Sequence, residues 1–168
     1  MECKIRPWYT EDAPDLAAAI NNPRVQNNLR DGMPFPYTVA DAADYIAAVQ
    51  QADPDKTFAF AITVDDKAIG SIGVFRKDNI HFRTAEMGYY LAEPYWGKGL
   101  GTSAVTQTLQ YVFAHSDILR IFAEPFATNV ASCRILEKSG FVYEGTMRCN
   151  AVKNGKLLDM KLYAFIRP

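Results

Sequence analysis

Apolar positions in this chain recur with two periods, and the switches between them mark out its elements. Thr57–Val64 and Lys67–Arg76 are apolar-rich runs of strand length joined by Asp65-Asp66, the pattern of a hairpin. Gly70 and Gly73 inside the second run predict a bulge or the close approach of another group. Phe141–Val152 and Lys156–Ile166 form a second pair around Asn154-Gly155, a dipeptide suited to a tight turn with positive φ. His81–Ala92 and Leu119–Ala127 read as single strands. From Thr102 to Ala114 the period becomes helical, with Ala104, Val105, Leu109, Val112 and Phe113 on one side. A further helix starts at Asn129 and stops at Gly140, a residue suited to the left-handed position after a last turn.

The first third of the chain is less regular. Cys3–Tyr9 reads as a strand that Pro7 consigns to an edge, and Thr10 is the expected cap of a short helix. Glu11 and Asp12 fall in that helix's first turn, and Leu16, Ala19 and Ile20 point inward. Asn21-Asn22-Pro23 ends it, Arg24–Leu29 forms another helical turn, and Arg30–Tyr37 is a loop rich in Pro, Gly and aromatics. Thr38 and Asp41 form a capping box for a helix running to about Ala52. Strands and helices in this order make a mixed α+β sheet.

Composition narrows the class of protein. At 168 residues, the chain forms one domain, 1–168, large enough to bury a core without disulfides. A net charge of −1 offers no electrostatic footprint for nucleic acid or an acidic membrane. No basic stretch leads an apolar run, and no run is long enough to span a bilayer. Cys3, Cys133 and Cys149 form no C-x-x-C pair, so no metal site is expected, and free thiols suit a reducing cytoplasm.

The candidate chemistry gathers around Tyr95-Trp96-Gly97-Lys98-Gly99-Leu100-Gly101-Thr102, between the strand ending at Ala92 and the helix beginning near Thr102. Glycines admit backbone angles closed to other residues and let a ligand approach the chain. The loop feeds a helix N-terminus, where unpaired N–H groups and the dipole favour an anion. Consecutive amides in such a turn form a nest for phosphate oxygens. The pattern is not a dinucleotide fingerprint: Thr102 stands where the third glycine belongs, and neither Asp117 nor Glu124 sits at the tip of a second βαβ strand. The nucleoside-triphosphate loop motif is absent.

Further along stands Asn129-Val-Ala-Ser132-Cys-Arg134-Ile-Leu-Glu137-Lys138-Ser-Gly140-Phe141. This stretch and the glycine loop together resemble the GNAT superfamily of acyl-CoA-dependent N-acyltransferases, specifically its RimJ/RimL branch, which acetylates protein N-termini and related amines. Trp96-Gly97-Lys98-Gly99-Leu100-Gly101 fits the superfamily's cofactor loop except at Trp96, which replaces a polar residue as is common in that branch. The resemblance runs from Ile5-Arg6-Pro7 through Pro36-Tyr37-Thr38 to Asp159-Met160. It implies a mostly antiparallel sheet flanked by helices and splayed at a cofactor cleft, with acetyl-CoA as donor and a peptide N-terminus or small amine as acceptor.

Roles follow by position. The loop amides Gly97 to Thr102 are expected to hold the pyrophosphate, and the backbones of Tyr90, Leu91 and Ala92 to pair with the pantetheine arm, Leu91 N–H serving as oxyanion donor. Lys98 either reaches a phosphate or stays in solvent. Asn129 bonds the pantetheine arm, caps its helix, or both; Arg134 and Lys138 are expected to flank the adenosine phosphates, with Arg134 facing solvent as the alternative. Glu86 is the candidate general base, directly or through water; the alternative is a solvated or structurally bonded strand glutamate. Seven residues past Asn129, where many members carry a tyrosine acid, stands Leu136; Ser132 matches the branch's proposed acid, or helps cap its own helix. The branch's proposed base in the following strand falls at Ala151. Cys133 is taken as packing, since the family transfers its acyl group directly. Asn27, Asn28, Arg30, Phe35 and Tyr37 are acceptor-side candidates, joined by Tyr143 and Asn150; Phe35 and Tyr37 alternatively pack the loop on the helix beginning at Thr38. Competing readings are a non-catalytic acyl-CoA sensor and a nucleotide-binding domain. Monomer and homodimer are both open.

Overall fold

Two hairpins frame a single sheet, and both are bounded where their turn residues require. A computed structural model describes all 168 residues. In chain order the elements are β1 (Lys4–Arg6), α1 (Ala13–Ile20), α2 (Pro23–Gln26), α3 (Val39–Gln51), β2 (Thr57–Val64), β3 (Lys67–Arg76), β4 (Thr84–Leu91), α4 (Leu100–His115), β5 (Arg120–Ala123), α5 (Val130–Lys138), β6 (Val142–Lys153) and β7 (Lys156–Ile166). The strands lie in the order β1-β2-β3-β4-β5-β7-β6, an open sheet. Every neighbouring pair is antiparallel except β4 with β5, which is parallel because α4 crosses between them. The β6–β7 turn holds Asn154 and Gly155 at φ 53° and 73°, the left-handed values expected of Asn-Gly.

Helices cover both faces. On one, α1 and α3 enclose Trp8, Leu16, Ile20, Tyr37, Ala42 and Ile46. On the other, α4 and α5 press Leu100, Val105, Leu109, Val112, Cys133 and Leu136 against the larger core. The Thr38–Asp41 capping box forms as expected, with Thr38 Oγ1 accepting the Asp41 amide. Both readings of the strand glycines hold. The β2–β3 register shifts between Ile62 and Thr63, and a Cβ on Gly70 would lie 2.3 Å from the Tyr90 carbonyl oxygen of β4.

β1, α2 and α4 are bounded differently from expectation, and three further differences have a clear local reason. Thr10 does not cap α1. Thr10–Asp12 form a 3-10 turn whose cap is Tyr9, because Asp12 is drawn inward by two bonds from Arg6, at 2.7 and 2.8 Å, and accepts the Tyr9 amide at 2.8 Å. The strand into the glycine loop starts at Thr84 rather than His81, since Asn79–His81 form another 3-10 turn. The strand expected over Leu119–Ala127 is only Arg120–Ala123; it is followed by Glu124 and by Pro125, which has no amide for a ladder.

That last difference makes the site. β4 and β5 pair only from Thr84↔Arg120 to Glu86↔Phe122. Beyond this the two parallel strands separate, and a gap opens through the middle of the sheet.

Candidate active site

The gap is a cavity of about 520 Å³ lined on one side by Glu86 to Tyr90 and on the other by Ala123 to Phe126, Asn129, Ser132 and Met160. Its floor follows from strand alternation. Glu86, Gly88 and Tyr90 face the α1/α3 side with their β3 neighbours Phe75, Gly73 and Ser71. A Cβ on Gly88 would meet nothing within 4 Å, whereas one on Gly73 would strike the Phe75 ring at 2.6 Å. The floor is therefore bare at Gly88 and walled by Phe75.

Backbone donors form the second part of the site. Gly97 and Gly99 take φ values of 71° and 76°, and a Cβ at either would enter open space. From Gly97 to Thr102, no amide donates to any group in the protein; the first helix amide with a partner is Ser103, bonded to the Gly99 carbonyl. Six consecutive unpartnered N–H groups at the start of a 16-residue helix form a concave array of donors at its positive end, and this fits a diphosphate. Gly101 serves packing instead. A Cβ there would lie 2.6 Å from Ile135 Cδ1, so this glycine lets α5 close on α4. Trp96 braces the loop by donating from Nε1 to the Leu91 carbonyl at 2.8 Å. Lys98 is exposed and bends back to the Pro94 carbonyl at 2.8 Å.

The residues expected to offer free backbone to the gap divide. Ala92 N–H donates to the Ile69 carbonyl of β3 at 2.8 Å, and Lys77 N–H donates to the Thr84 carbonyl. Antiparallel alternation then commits the backbone of Tyr90, like that of Ala92, to β3. The Tyr90 side chain is half-buried beside Ser71 and Tyr45, and desolvation of its hydroxyl holds the phenol far above the ordinary range. Tyr89 and Leu91 are the residues whose amides face the gap, beyond the last β4–β5 pair. The amides of Tyr89 and Leu91 are thus open to the gap, whereas those of Tyr90 and Ala92 are taken by β3.

Side chains flank the gap on both faces of the sheet. On the α1/α3 face, Arg30 donates to Glu86 at 2.9 and 3.3 Å and to Glu124 at 3.5 Å, bridging carboxylates on the two separating strands. Those bonds to Glu86, offset in part by burial, raise the Arg30 guanidinium above its usual value. On the α4/α5 face, Asn129 caps α5 by accepting the Ser132 amide at 3.2 Å. The Ser132 hydroxyl is 2.8 Å from that of Tyr89. Leu136 is fully buried and Cys133 nearly so, both in the core. Arg134 and Lys138 are exposed on α5 with no partner in the protein.

The acceptor-side candidates divide. Asn28 and Arg30 line the cavity. Tyr37 does not: it is 7% exposed and packs among Trp8, Leu16 and Ile46, and its phenol is pushed up to about 12 chiefly by burial. Phe35 points to solvent, and Tyr143 sits on the exposed hairpin bonded to Thr146 at 2.6 Å. Neither lines the cleft: the loop turns Phe35 outward, and Tyr143 faces out from β6. Asn150 lines an adjoining hollow of about 330 Å³ that shares Arg30, Asp31, Glu124, Phe126 and Met160 with the gap. Asn27 pairs with Asn154 at 3.0 Å on that side. Glu124 and Tyr89 escaped the sequence reading. Glu124 was hidden inside a strand drawn too long, whereas alternation with Met87 and Leu91 already set Tyr89 on the α5 face.

A strand, an amide nest at a helix start and a gap between parallel strands together form a site suited to a phosphate-bearing donor. Residues 3–142 match the model of the GNAT acetyltransferase domain, and the chain belongs to that family of acyltransferases. A probable N-acetyltransferase of Bacillus subtilis (strain 168), YjcK, is 34% identical over 135 residues, 79% of this chain and 75% of that protein. The ribosomal-protein-S5-alanine acetyltransferase from Vibrio fischeri superposes with a TM-score of 0.86 at 23% identity, covering 99% of this chain and 96% of that one. Mycobacterium smegmatis RimJ, solved in complex with CoA-disulfide, gives 0.87 at 22% identity over 98% of this chain and 81% of its own. The sheet order and its opening are those of the GNAT fold. No helix is long and apolar enough to cross a membrane.

Proposed function

We propose that this protein is an acetyl-CoA-dependent N-acetyltransferase that acylates a primary amine directly, in a ternary complex. The run of six unpartnered amides beside a gap in the sheet carries this reading. Acetyl-CoA supplies an activated acyl group as a thioester. Gly97 to Thr102 grip its pyrophosphate, Arg134 and Lys138 flank its adenosine phosphates, and Tyr89 and Leu91 present backbone groups to its amide-rich arm. Leu91 N–H is the donor for the oxygen charge that grows on the carbonyl during attack. Glu86, reached from the α1/α3 face, accepts the proton of the incoming ammonium. Ser132, on the opposite face, donates toward the departing sulfur.

The acceptor enters over the bare floor at Gly88, past Asn28 and Arg30, and extends into the hollow beside Asn150. A peptide N-terminus suits this open, two-chambered approach, and relatives named as ribosomal-protein acetyltransferases favour the same class. A cytoplasmic location accords with three unpaired cysteines. The test is thiol release from acetyl-CoA and succinyl-CoA with a library of peptides and small amines. Acceptor-dependent release with acetyl-CoA is expected. Tight coenzyme binding with no release for any amine would instead make the protein a sensor.

A further inference from the structure

Ser132 has one side-chain neighbour that no role has yet used. The Tyr89 hydroxyl lies 2.8 Å from Ser132 Oγ and 3.2 Å from the Ser132 carbonyl, joining β4 to the first turn of α5 at the level where the sheet has opened. The rest of the Tyr89 ring packs against the larger core, so the phenol is carried on a fixed lever. Ser132 is the one residue of α5 proper that lines the cavity. Its Oγ touches no other side chain, and its amide is already committed to Asn129.

A serine hydroxyl has one proton and two lone pairs. If Ser132 directs its proton to Tyr89, it has nothing to offer the gap. If Tyr89 is the donor, the serine proton is released to point elsewhere. Burial raises the Tyr89 phenol well above its ordinary range, so it keeps its proton throughout neutral and mildly alkaline conditions. That one proton has two acceptors in reach, Ser132 Oγ at 2.8 Å and the Ser132 carbonyl at 3.2 Å, and the shorter contact is the one to Oγ.

We infer that Tyr89 is a positioning residue that donates to Ser132 Oγ and thereby directs the serine proton at the departing sulfur. This inference rests on the acyltransfer reading above. As the carbon–nitrogen bond forms, the carbon–sulfur bond breaks and sulfur leaves with its electron pair. Ser132 then donates a hydrogen bond to that charge and keeps its proton. Overall, ammonium and thioester give amide, thiol and one proton released to solvent. The pair occupies the job that Leu136, buried in the core, has no proton to perform.

The experiment reads the sulfur itself and so needs no acceptor. The thiol of coenzyme A bound to the protein is titrated by its thiolate absorbance in wild type, Tyr89→Phe, Ser132→Ala and the double variant. Loss of a charge-assisted donor is expected to move the bound thiol upward by about one pH unit in each single variant, with no further shift in the double. Steady-state kinetics on the same proteins should give a kcat about tenfold lower for Tyr89→Phe with KM for acetyl-CoA unchanged, and no added loss in the Ser132→Ala background. Tyr89→Phe retains the ring that packs the core, and a thermal melt checks that it folds. Identical thiol titrations in wild type and Tyr89→Phe would overturn the inference, as would equal losses whether residue 132 is Ser or Ala. Failure of every amine to support transfer would strike the acyltransfer reading alone, since the thiol titration stands without it.

Discussion

The two sides of the gap are built from different materials. The side proposed for the coenzyme is backbone: amides 97 to 102, set by two glycines at positive φ and a helix start a few residues away in sequence. The side proposed for the acceptor is side chains from distant segments, where Arg30 bridges Glu86 and Glu124 across 56 and 94 residues of chain. A backbone site can bind the same ligand through much sequence change, because its donors belong to every residue but proline. A side-chain site changes with each substitution. On the proposed function, one half of the cleft answers to the coenzyme and the other is free to follow the acceptor.

This contrast can be broken by exchange of single residues. Glu86→Gln is expected to have the largest effect, a fall in kcat of about 100-fold, at the lower end of what general-base removal does. Calorimetric coenzyme A affinity should not change, because Glu86 faces away from the amide array. A comparable loss of coenzyme affinity would show that the two sides are not separable. Gly99→Val comes next. Forcing a β-branched residue to φ 76° stores about 2 kcal/mol and crowds the nest, so coenzyme A should bind about 30-fold more weakly. Acceptor KM should stay within twofold, measured at saturating acetyl-CoA. Arg30→Ala should be mildest. Its guanidinium is largely exposed, so screening limits the pair, and acceptor KM should move about threefold with coenzyme affinity intact. An Arg30 variant that alters coenzyme binding more than acceptor KM would place the loop on the wrong side of the comparison.

The same division decided what the sequence disclosed. Hairpins announced by Asp65-Asp66 and Asn154-Gly155 lie where local turn chemistry puts them, and the helix capped by Thr38 and Asp41 begins where expected. The amide nest was legible for the same reason, since glycine spacing and a following helix are local signals. Thr10 failed as a cap because Arg6, not the helix, decides where Asp12 goes. Tyr37 was left between two readings, and its packing alternative is the one that forms, because an aromatic in a Pro-rich loop gives no sign of whether it faces a ligand or a core. Glu124 was lost when the strand before it was drawn past Pro125. Tyr89 was the recoverable omission, as strand alternation alone turns it toward α5.

The short β4–β5 ladder has a mechanical consequence. Four strands on one wing and three on the other are stitched along only three residue pairs, from Thr84 to Glu86, with α4 and α5 spanning the seam on one face. A slender molecule lodged there would complete the hydrogen bonding that the seam leaves undone and act as a splint between the wings. The protein's rigidity would then follow its occupancy.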